Sequence, residues 1–138
     1  MIIKKLSFRE ILKNKINNKV FHTLWNMFVL GDQIYLIEKN YGNKKYLIGH
    51  FSLKIDNSTC KITKLYILTE FQNYKNIKEF MEDITAIMKN NVNNITLHVD
   101  IKQKYVIDMC RELNFAKSDF VENYFGKNKH AYLMIKRI

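Results

Sequence analysis

The chain has 138 residues, of which 47% are hydrophobic and 13% aromatic. This length and apolar content predict one domain, residues 1–138, with a single core, and argue against a disordered chain. The net charge of +10 suggests nucleic acid, yet only Arg9, Arg111 and Arg137 are arginines. Specific phosphate and base readout favours arginine, which argues against a specific nucleic-acid partner. Nonspecific nucleic-acid binding by the lysines is left as an alternative.

The cysteine spacing does not indicate a metal site or a disulfide framework, and the hydropathy does not indicate a membrane span. Cys60 and Cys110 do not have the spacing of metal ligands or of a disulfide set, which favours a reducing cytoplasm. The most apolar run, residues 20–30, is shorter than the ~20 residues of a membrane span. We therefore expect a cytoplasmic protein with no metal and no membrane partner.

The first half of the chain predicts a strand, two helices and three more strands. The strand covers residues 2–6, Ser7 caps the first helix, and the second carries apolar side chains between Val20 and Phe28. The next three strands should form an antiparallel meander, over residues 33–38, 46–55 and 59–68. The last of them is apolar on both faces near its end, which is typical of a covered central strand.

The second half predicts helix, strand, helix and two strands. The apolar stripe of the first helix consists of Ile77, Phe80, Met81, Ile84, Ile87 and Met88. Residues 95–101 alternate as a strand with His98 on its polar face, and Asn114 ends the next helix in a left-handed conformation. Residues 120–125 and 131–135 form a closing hairpin. The order predicts an α/β (α+β) fold with a mixed, mostly antiparallel central sheet.

Residues 65–80 join a strand to a long helix with few residues between them. Such a turn leaves backbone N–H groups unpaired at the helix start, where the helix dipole also favours an anion such as phosphate. The polar side chains of residues 73–76 are, alternatively, an ordinary solvated loop. We prefer anion binding because a helix starts behind them.

This element order resembles that of the GNAT acetyltransferase superfamily over almost the whole chain. Residues 65–80 look like its acetyl-CoA segment, an aliphatic strand followed by Gln/Arg-x-x-Gly-x-Gly/Ala. Three triplets are similar to motifs of the protein N-terminal α-amine acetyltransferases: Leu97-His98-Val99, Leu113-Asn114-Phe115 and Asn123-Tyr124-Phe125. The resemblance implies a GNAT-like sheet and acetyl transfer from acetyl-CoA to a primary amine, above all a peptide α-amine, by direct attack in a ternary complex.

The pyrophosphate loop departs from that pattern. Gln72 matches it, but Lys75 and Ile77 occupy the two glycine positions. Glycine serves there because the backbone approaches the pyrophosphate closely and can need dihedral angles that a β-carbon forbids. The alternative function is therefore a degenerate GNAT-fold protein without catalysis that acts as a binding or regulatory module.

The resemblance also implies catalytic and substrate-binding residues. His98 would be the base that takes the proton of the amine, with a solvated strand residue as the equal alternative. Cys110 stands where many members have a tyrosine that protonates the departing thiolate, although a buried packing role is favoured. Tyr124 would hold the backbone of the substrate N-terminus, or is simply a half-buried strand aromatic.

The implied cofactor residues lie mostly at the strand-to-helix junction. Tyr66 and Ile67 are expected to pack in the core while their backbone faces the pantetheine arm, and N–H groups near Ile67 and Leu68 would stabilise the oxyanion. Gln103 either touches the cofactor or only starts a helix. The full set is Tyr66, Ile67, Leu68, Gln72, Asn73, Tyr74, Lys75, Asn76, Ile77 and Gln103. The expected cosubstrate is acetyl-CoA and the expected partner a peptide or protein N-terminus or another small amine, with a homodimer left open.

Overall fold

The computed structural model describes residues 1–5 and 32–138 of the chain. The two predicted N-terminal helices, the one capped by Ser7 and the one between Val20 and Phe28, lie outside the described residues. The elements within them are β1 (Ile2–Lys5), β2 (Gln33–Tyr41), β3 (Lys44–Asp56), β4 (Thr59–Ile67), α1 (Tyr74–Met88), β5 (Asn94–Asp100), α2 (Lys104–Glu112), β6 (Ala116–Gly126) and β7 (Lys129–Arg137). A short 3-10 turn, Thr69–Phe71, stands between β4 and α1.

The described strands form one hydrogen-bonded sheet in the order β1-β2-β3-β4-β5-β7-β6. The β1–β2, β2–β3, β5–β7 and β6–β7 pairs are antiparallel, whereas β4 and β5 are parallel. The predicted mixed, mostly antiparallel sheet is therefore confirmed. Strands β2 and β3 are longer than predicted, because their ladder continues through polar residues as far as the Tyr41–Lys44 pair.

The chain divides into two compact units, and β4 contributes to both. The first unit consists of residues 1–54 and 63–73, and the second of residues 55–62 and 74–138. The expectation of one domain stays a prediction.

The first unit has an apolar core and a buried polar chain. Among its described residues, the fully buried apolar side chains include Ile34, Ile37, Ile48, Phe51 and Leu53. The hydroxyl of Thr63 donates to Asp32 over 2.8 Å and lies 2.7 Å from the hydroxyl of Ser52. The ammonium of Lys54 is 3.3 Å from the Asp32 carboxylate. Thr63 thus satisfies Oδ2 of Asp32, whereas the buried Oδ1 has the ion pair with Lys54 but no hydrogen bond within the described residues.

The second unit packs α1 and α2 with strands β5, β6 and β7. Helix α1 buries Phe80, Met81, Ile84 and Met88, so most of the predicted stripe is confirmed. Ile87 is 40% exposed in the last turn of the helix, and its predicted inward position is wrong. Asn114 has a φ of 69°, which confirms the left-handed residue that ends α2. Of the described helices, none is both long and apolar enough to cross a bilayer.

Candidate functional site

Two predicted site residues, His98 and Tyr124, are in contact within the second unit. Their rings stack with centroids 3.8 Å apart and planes 7° from parallel. His98 lies on β5 and Tyr124 on β6, and β7 stands between these strands in the sheet. The ring of Tyr124 therefore reaches His98 across β7, a contact that regular strand alternation does not predict.

An irregular segment of β6 aims Tyr124 at His98. The pairing of β6 with β7 shifts register between Val121 and Gly126. Within this segment Asn123 has a φ of 54°, a left-handed conformation that asparagine tolerates better than most residues. Its N–H donates to Nδ1 of His130 over 3.0 Å, and its side-chain oxygen accepts from the N–H of Asn128 over 2.8 Å. Bulges of this kind re-aim side chains, and here the polar contacts of Asn123 hold the bulge.

The environment of His98 favours the neutral imidazole. The residue is half-buried, and its Nδ1 is enclosed with no hydrogen-bond partner in the described part of the protein. Burial lowers the pKa of His98 below its ordinary value, and the positive charge of Lys61 lowers it further. A neutral imidazole at neutral pH can accept a proton, as the predicted base must. Both interpretations of His98, the base and the solvated strand residue, stay predictions.

Lys61 is a third member of this site, and no sequence motif marks it. It lies on β4, which pairs in parallel with β5 so that Lys61 stands opposite Thr96. Its Nζ is 5.8 Å from the centroid of the Tyr124 ring, within the range of a cation–π contact. Only the parallel register, which sequence periodicity does not fix, brings this lysine near His98.

The first unit contains another histidine in a similar setting. His50 on β3 stacks on Tyr66 of β4, with centroids 5.4 Å apart and planes 27° from parallel. Burial lowers the pKa of His50, and the charge of Lys64 adds to this effect. His50 stands alone on its strand without a recognisable motif, which is why sequence reasoning missed it.

The expected packing at the end of β4 is only partly correct. Ile67 is buried, but Tyr66 is 52% exposed and Leu65 is 39% exposed. The prediction that Tyr66 packs in the core, on a strand covered on both faces, is therefore wrong. Lys64, Leu65 and Tyr66 are consecutive exposed residues, and since neighbouring side chains point to opposite faces, the described part of the chain leaves both faces partly exposed there.

Internal hydrogen bonds occupy the backbone just beyond β4. The N–H of Leu68 donates to the carbonyl of Ile48 over 2.8 Å, so the prediction that this N–H stabilises an oxyanion is wrong. The side-chain amide of Gln72 donates to the carbonyl of Ile67 over 2.6 Å. Gln72 thus closes the turn.

The approach of β3 to the end of β4 depends on Gly49. A β-carbon at this position would lie 2.2 Å from the carbonyl oxygen of Tyr66, far inside van der Waals contact. Glycine is therefore required for the backbone of Tyr66 to come this close.

Some features of the start of α1 favour a bound anion and others oppose it. No acidic residue stands in its first turn, and the side chain of Lys75 is exposed. A hydrogen bond to Glu112 raises the pKa of Tyr74, so a carboxylate does lie against this end of the helix. Asn76 is only 4% exposed, and the alternative that it belongs to a solvated loop is wrong, because it lies inside the first turn. Ile77 is half-buried and Asn73 is exposed.

The two remaining predicted residues lie on α2. Cys110 is 6% exposed, and burial raises the pKa of its thiol to about 11. Such burial agrees with the alternative in which Cys110 packs in the core. Gln103 is exposed and stands at the N-cap position of α2, where its carbonyl accepts the N–H of Ile107 over 3.1 Å and its side chain makes no capping bond. Both interpretations of Gln103 therefore stay open.

No group of histidine, cysteine, aspartate or glutamate side chains within residues 1–5 and 32–138 is arranged to hold a metal ion. No family model and no curated protein matches the chain.

Solved structures do match it over nearly its full length. A GNAT family acetyltransferase from Elizabethkingia anophelis with acetyl-CoA bound has a TM-score of 0.76 at 15% identity, covering 99% of this chain and 97% of that one. For a spermidine/spermine N-acetyltransferase from Vibrio cholerae the TM-score is 0.75 at 16% identity, with coverages of 99% and 91%. For an IAA acetyltransferase from Bacillus cereus it is 0.71 at 11% identity, with coverages of 99% and 99%. The chain therefore has the GNAT fold.

Proposed function

We propose that this protein transfers an acetyl group from acetyl-CoA to a primary amine, with a peptide or protein N-terminal α-amine as the acceptor. The observation that carries the proposal is the stacked pair of His98 and Tyr124, in which the imidazole is kept neutral. The fold supports it too, since a structure of the same fold holds acetyl-CoA. The acceptor class rests on the resemblance of three triplets to N-terminal acetyltransferases.

In the proposed reaction the neutral amine attacks the thioester carbon directly. The new C–N bond forms, the C–S bond breaks, and no covalent intermediate forms on the enzyme. The imidazole of His98 takes the proton that the amine nitrogen loses. Tyr124, which is 37% exposed, contacts the acceptor backbone next to His98.

Cys110 is poorly suited to protonate the coenzyme A thiolate. With a pKa of about 11 the buried thiol keeps its proton at neutral pH. Transfer from such an acid to a thiolate of ordinary pKa, about 8.5, is uphill. We therefore propose that coenzyme A leaves as the thiolate anion, that the proton taken by His98 is released to solvent, and that Cys110 packs in the core.

For the donor, we propose that the chain between Gln72 and Ile77 meets the pyrophosphate. The start of a helix favours an anion because its first N–H groups have no partner within the helix itself, and the exposed Lys75 in the first turn of α1 adds a positive charge. We propose that the pantetheine arm contacts the exposed Tyr66 and the end of β4 at Ile67. Gln103 is a further proposed contact of the cofactor.

The test is calorimetry with acetyl-CoA followed by assays of acetyl transfer to short peptides. We expect micromolar to millimolar binding and measurable transfer, and His98→Ala should lower kcat by about 100-fold or more with acetyl-CoA affinity retained. Tyr132→Phe, on the neighbouring strand β7, is the control and should keep full activity. Unchanged turnover of His98→Ala would remove the base assignment.

The alternative function is a non-catalytic binding module. It is favoured by the Glu112 carboxylate that contacts Tyr74 at the start of α1, because a negative charge there opposes a pyrophosphate. Lys75 and Ile77, which occupy the two glycine positions of the family pattern, also favour the non-catalytic alternative. A well-folded sample that shows no binding at millimolar acetyl-CoA would support this alternative.

A further inference from the structure

Lys61 carries a positive charge at the edge of the His98–Tyr124 pair. Its side chain is half-buried on β4, and its Nζ lies over the ring of Tyr124, which in turn covers His98. Within the described residues Lys61 has no ion-pair partner. None of the side chains described in residues 1–5 and 32–138 therefore neutralises this charge.

Among the described residues, no carboxylate forms an ion pair with Lys61 or shifts the pKa of His98. Asp100 follows His98 on the same face of β5, and its carboxylate accepts the N–H of Lys102 over 2.9 Å. Glu122 is exposed in the irregular segment of β6. The one charged group that shifts the titration of His98 is Lys61, so the local field at the imidazole is positive.

A positive field of this kind discriminates between amines. A polyamine brings further ammonium groups toward Lys61 and is repelled. A carboxylate close to the reacting amine is attracted and supplies the partner that Lys61 lacks. In a peptide, adjacent Cα atoms are about 3.8 Å apart, so the side chain of the second residue extends beside the amine that His98 would deprotonate.

We infer that Lys61 determines acceptor specificity by selecting α-amines that carry a nearby carboxylate, as in peptides with glutamate or aspartate as the second residue. The inference rests on the proposed acetyl transfer and adds its substrate class. It assigns Lys61 to recognition of the acceptor, whereas His98 takes the proton.

The experiment uses three peptides that differ only at the second residue, which is Glu, Gln or Lys. For the native protein we expect kcat/KM to fall from the Glu to the Gln to the Lys peptide, by about three- to tenfold per step. A change of this size is what one charge contact at a half-exposed site contributes. Lys61→Gln should remove the differences, and Lys61→Glu should reverse the order. Spermidine, added as a competitor, should inhibit Lys61→Glu more strongly than the native protein.

The matched control is Lys117→Glu, which makes the same charge change. Lys117 also lies over an aromatic ring, with its Nζ 4.2 Å from the centroid of Tyr132. This variant should keep the native order of the three peptides. Circular dichroism and a thermal melt establish that each variant is folded.

Binding of the same peptides, fluorescently labelled and followed by polarisation without acetyl-CoA, separates the two proposals. Binding in the order Glu, Gln, Lys that Lys61→Glu reverses supports the role of Lys61 even if no acetyl transfer occurs, in which case the proposed catalysis alone fails. Transfer or binding that ignores the second residue, or that keeps its order in Lys61→Glu, overturns the role of Lys61. No binding of any peptide at millimolar concentration also overturns it.

Discussion

The ring of Tyr124 lies flat against the imidazole of His98, with centroids 3.8 Å apart. A ring stacked at this distance excludes water from one face of the imidazole. Loss of water disfavours the charged form, and burial is the larger of the two causes that lower the pKa of His98. The same contact that brings Tyr124 to the proposed acceptor site therefore also keeps the proposed base neutral.

Protonation of His98 should limit acetyl transfer only below the ordinary histidine pKa of 6.5, once the rate is corrected for the neutral fraction of the acceptor α-amine, whose ordinary pKa is about 7.7–8.0. The reason is that the pKa of His98 is lowered, first by burial and second by Lys61, so the imidazole becomes protonated only at more acidic pH. Lys61→Met removes the second cause, and the acidic limb of kcat/KM should move to higher pH. We would measure this limb with a neutral peptide acceptor and compare it with an NMR titration of His98.

The control for this pH shift is Lys117→Met, which removes a lysine that lies over Tyr132. It should leave the acidic limb where the native protein has it. A limb that stays in place in Lys61→Met would contradict the electrostatic role of Lys61.

Folding stability should fall as the pH drops below about 6.5. Burial lowers the pKa of both His50 and His98, whereas in the unfolded chain each titrates near the ordinary value of 6.5. Below that pH the unfolded chain takes up protons that the folded protein refuses, and this uptake favours unfolding until the pH falls below the lowered pKa values. We would measure urea unfolding at several pH values between 7.5 and 5.

Replacing both histidines with glutamine provides the comparison. His50→Gln/His98→Gln should show a flatter dependence of the unfolding free energy on pH in this window. An equally steep fall in the double variant would assign the effect to other groups.

Gly49→Ala should destabilise the protein by about 2 kcal/mol or more. The new β-carbon would lie 2.2 Å from the carbonyl oxygen of Tyr66, and since the clashing atom belongs to the backbone, a strand has to shift. Gly42→Asn is the control, because Gly42 has open space around it and asparagine tolerates its φ of 59°. Thermal melts that show equal losses for the two variants would contradict the steric argument.

Much of the fold follows from patterns visible in the sequence. The 3.6-residue stripe of α1 and the alternation in β5 depend on local periodicity, and Asn114 is a residue type suited to a left-handed helix end. The packing of the last residues of β4 could not be obtained in this way. Apolar residues such as Leu65 and Tyr66 favour a buried strand, but which face is covered depends on elements distant in sequence.

The candidate site was predictable only where a motif marked it. Short triplets pointed to His98 and Tyr124, yet their stacking depends on a bulge that the alternation of β6 does not reveal. Lys61 lies near His98 because β4 and β5 pair in parallel. The N–H of Leu68, just after β4, donates to the carbonyl of Ile48 on β3. Such pairings are set by tertiary structure, and for that reason the oxyanion prediction for Leu68 was wrong.

Asn123→Ala should lower both stability and catalytic efficiency. Alanine loses the bond from the Asn128 N–H to the side-chain oxygen and is strained at a φ of 54°, for a combined cost of about 1–3 kcal/mol. Because this bond holds the irregular segment, Tyr124 should lose its fixed position on His98. We expect a several-fold rise in KM for the peptide and a changed NMR shift of the His98 ring protons.

Asn128→Ala separates strain from the loss of the bond. Asn128 also has a left-handed backbone, with a φ of 59°, but it contributes only its main-chain N–H to Asn123, so alanine there keeps the hydrogen bond. It should cost similar strain while the KM for the peptide and the His98 shift stay native. If both variants raised KM equally, backbone strain in the hairpin would explain the effect, and the side chain of Asn123 would have no part in positioning Tyr124.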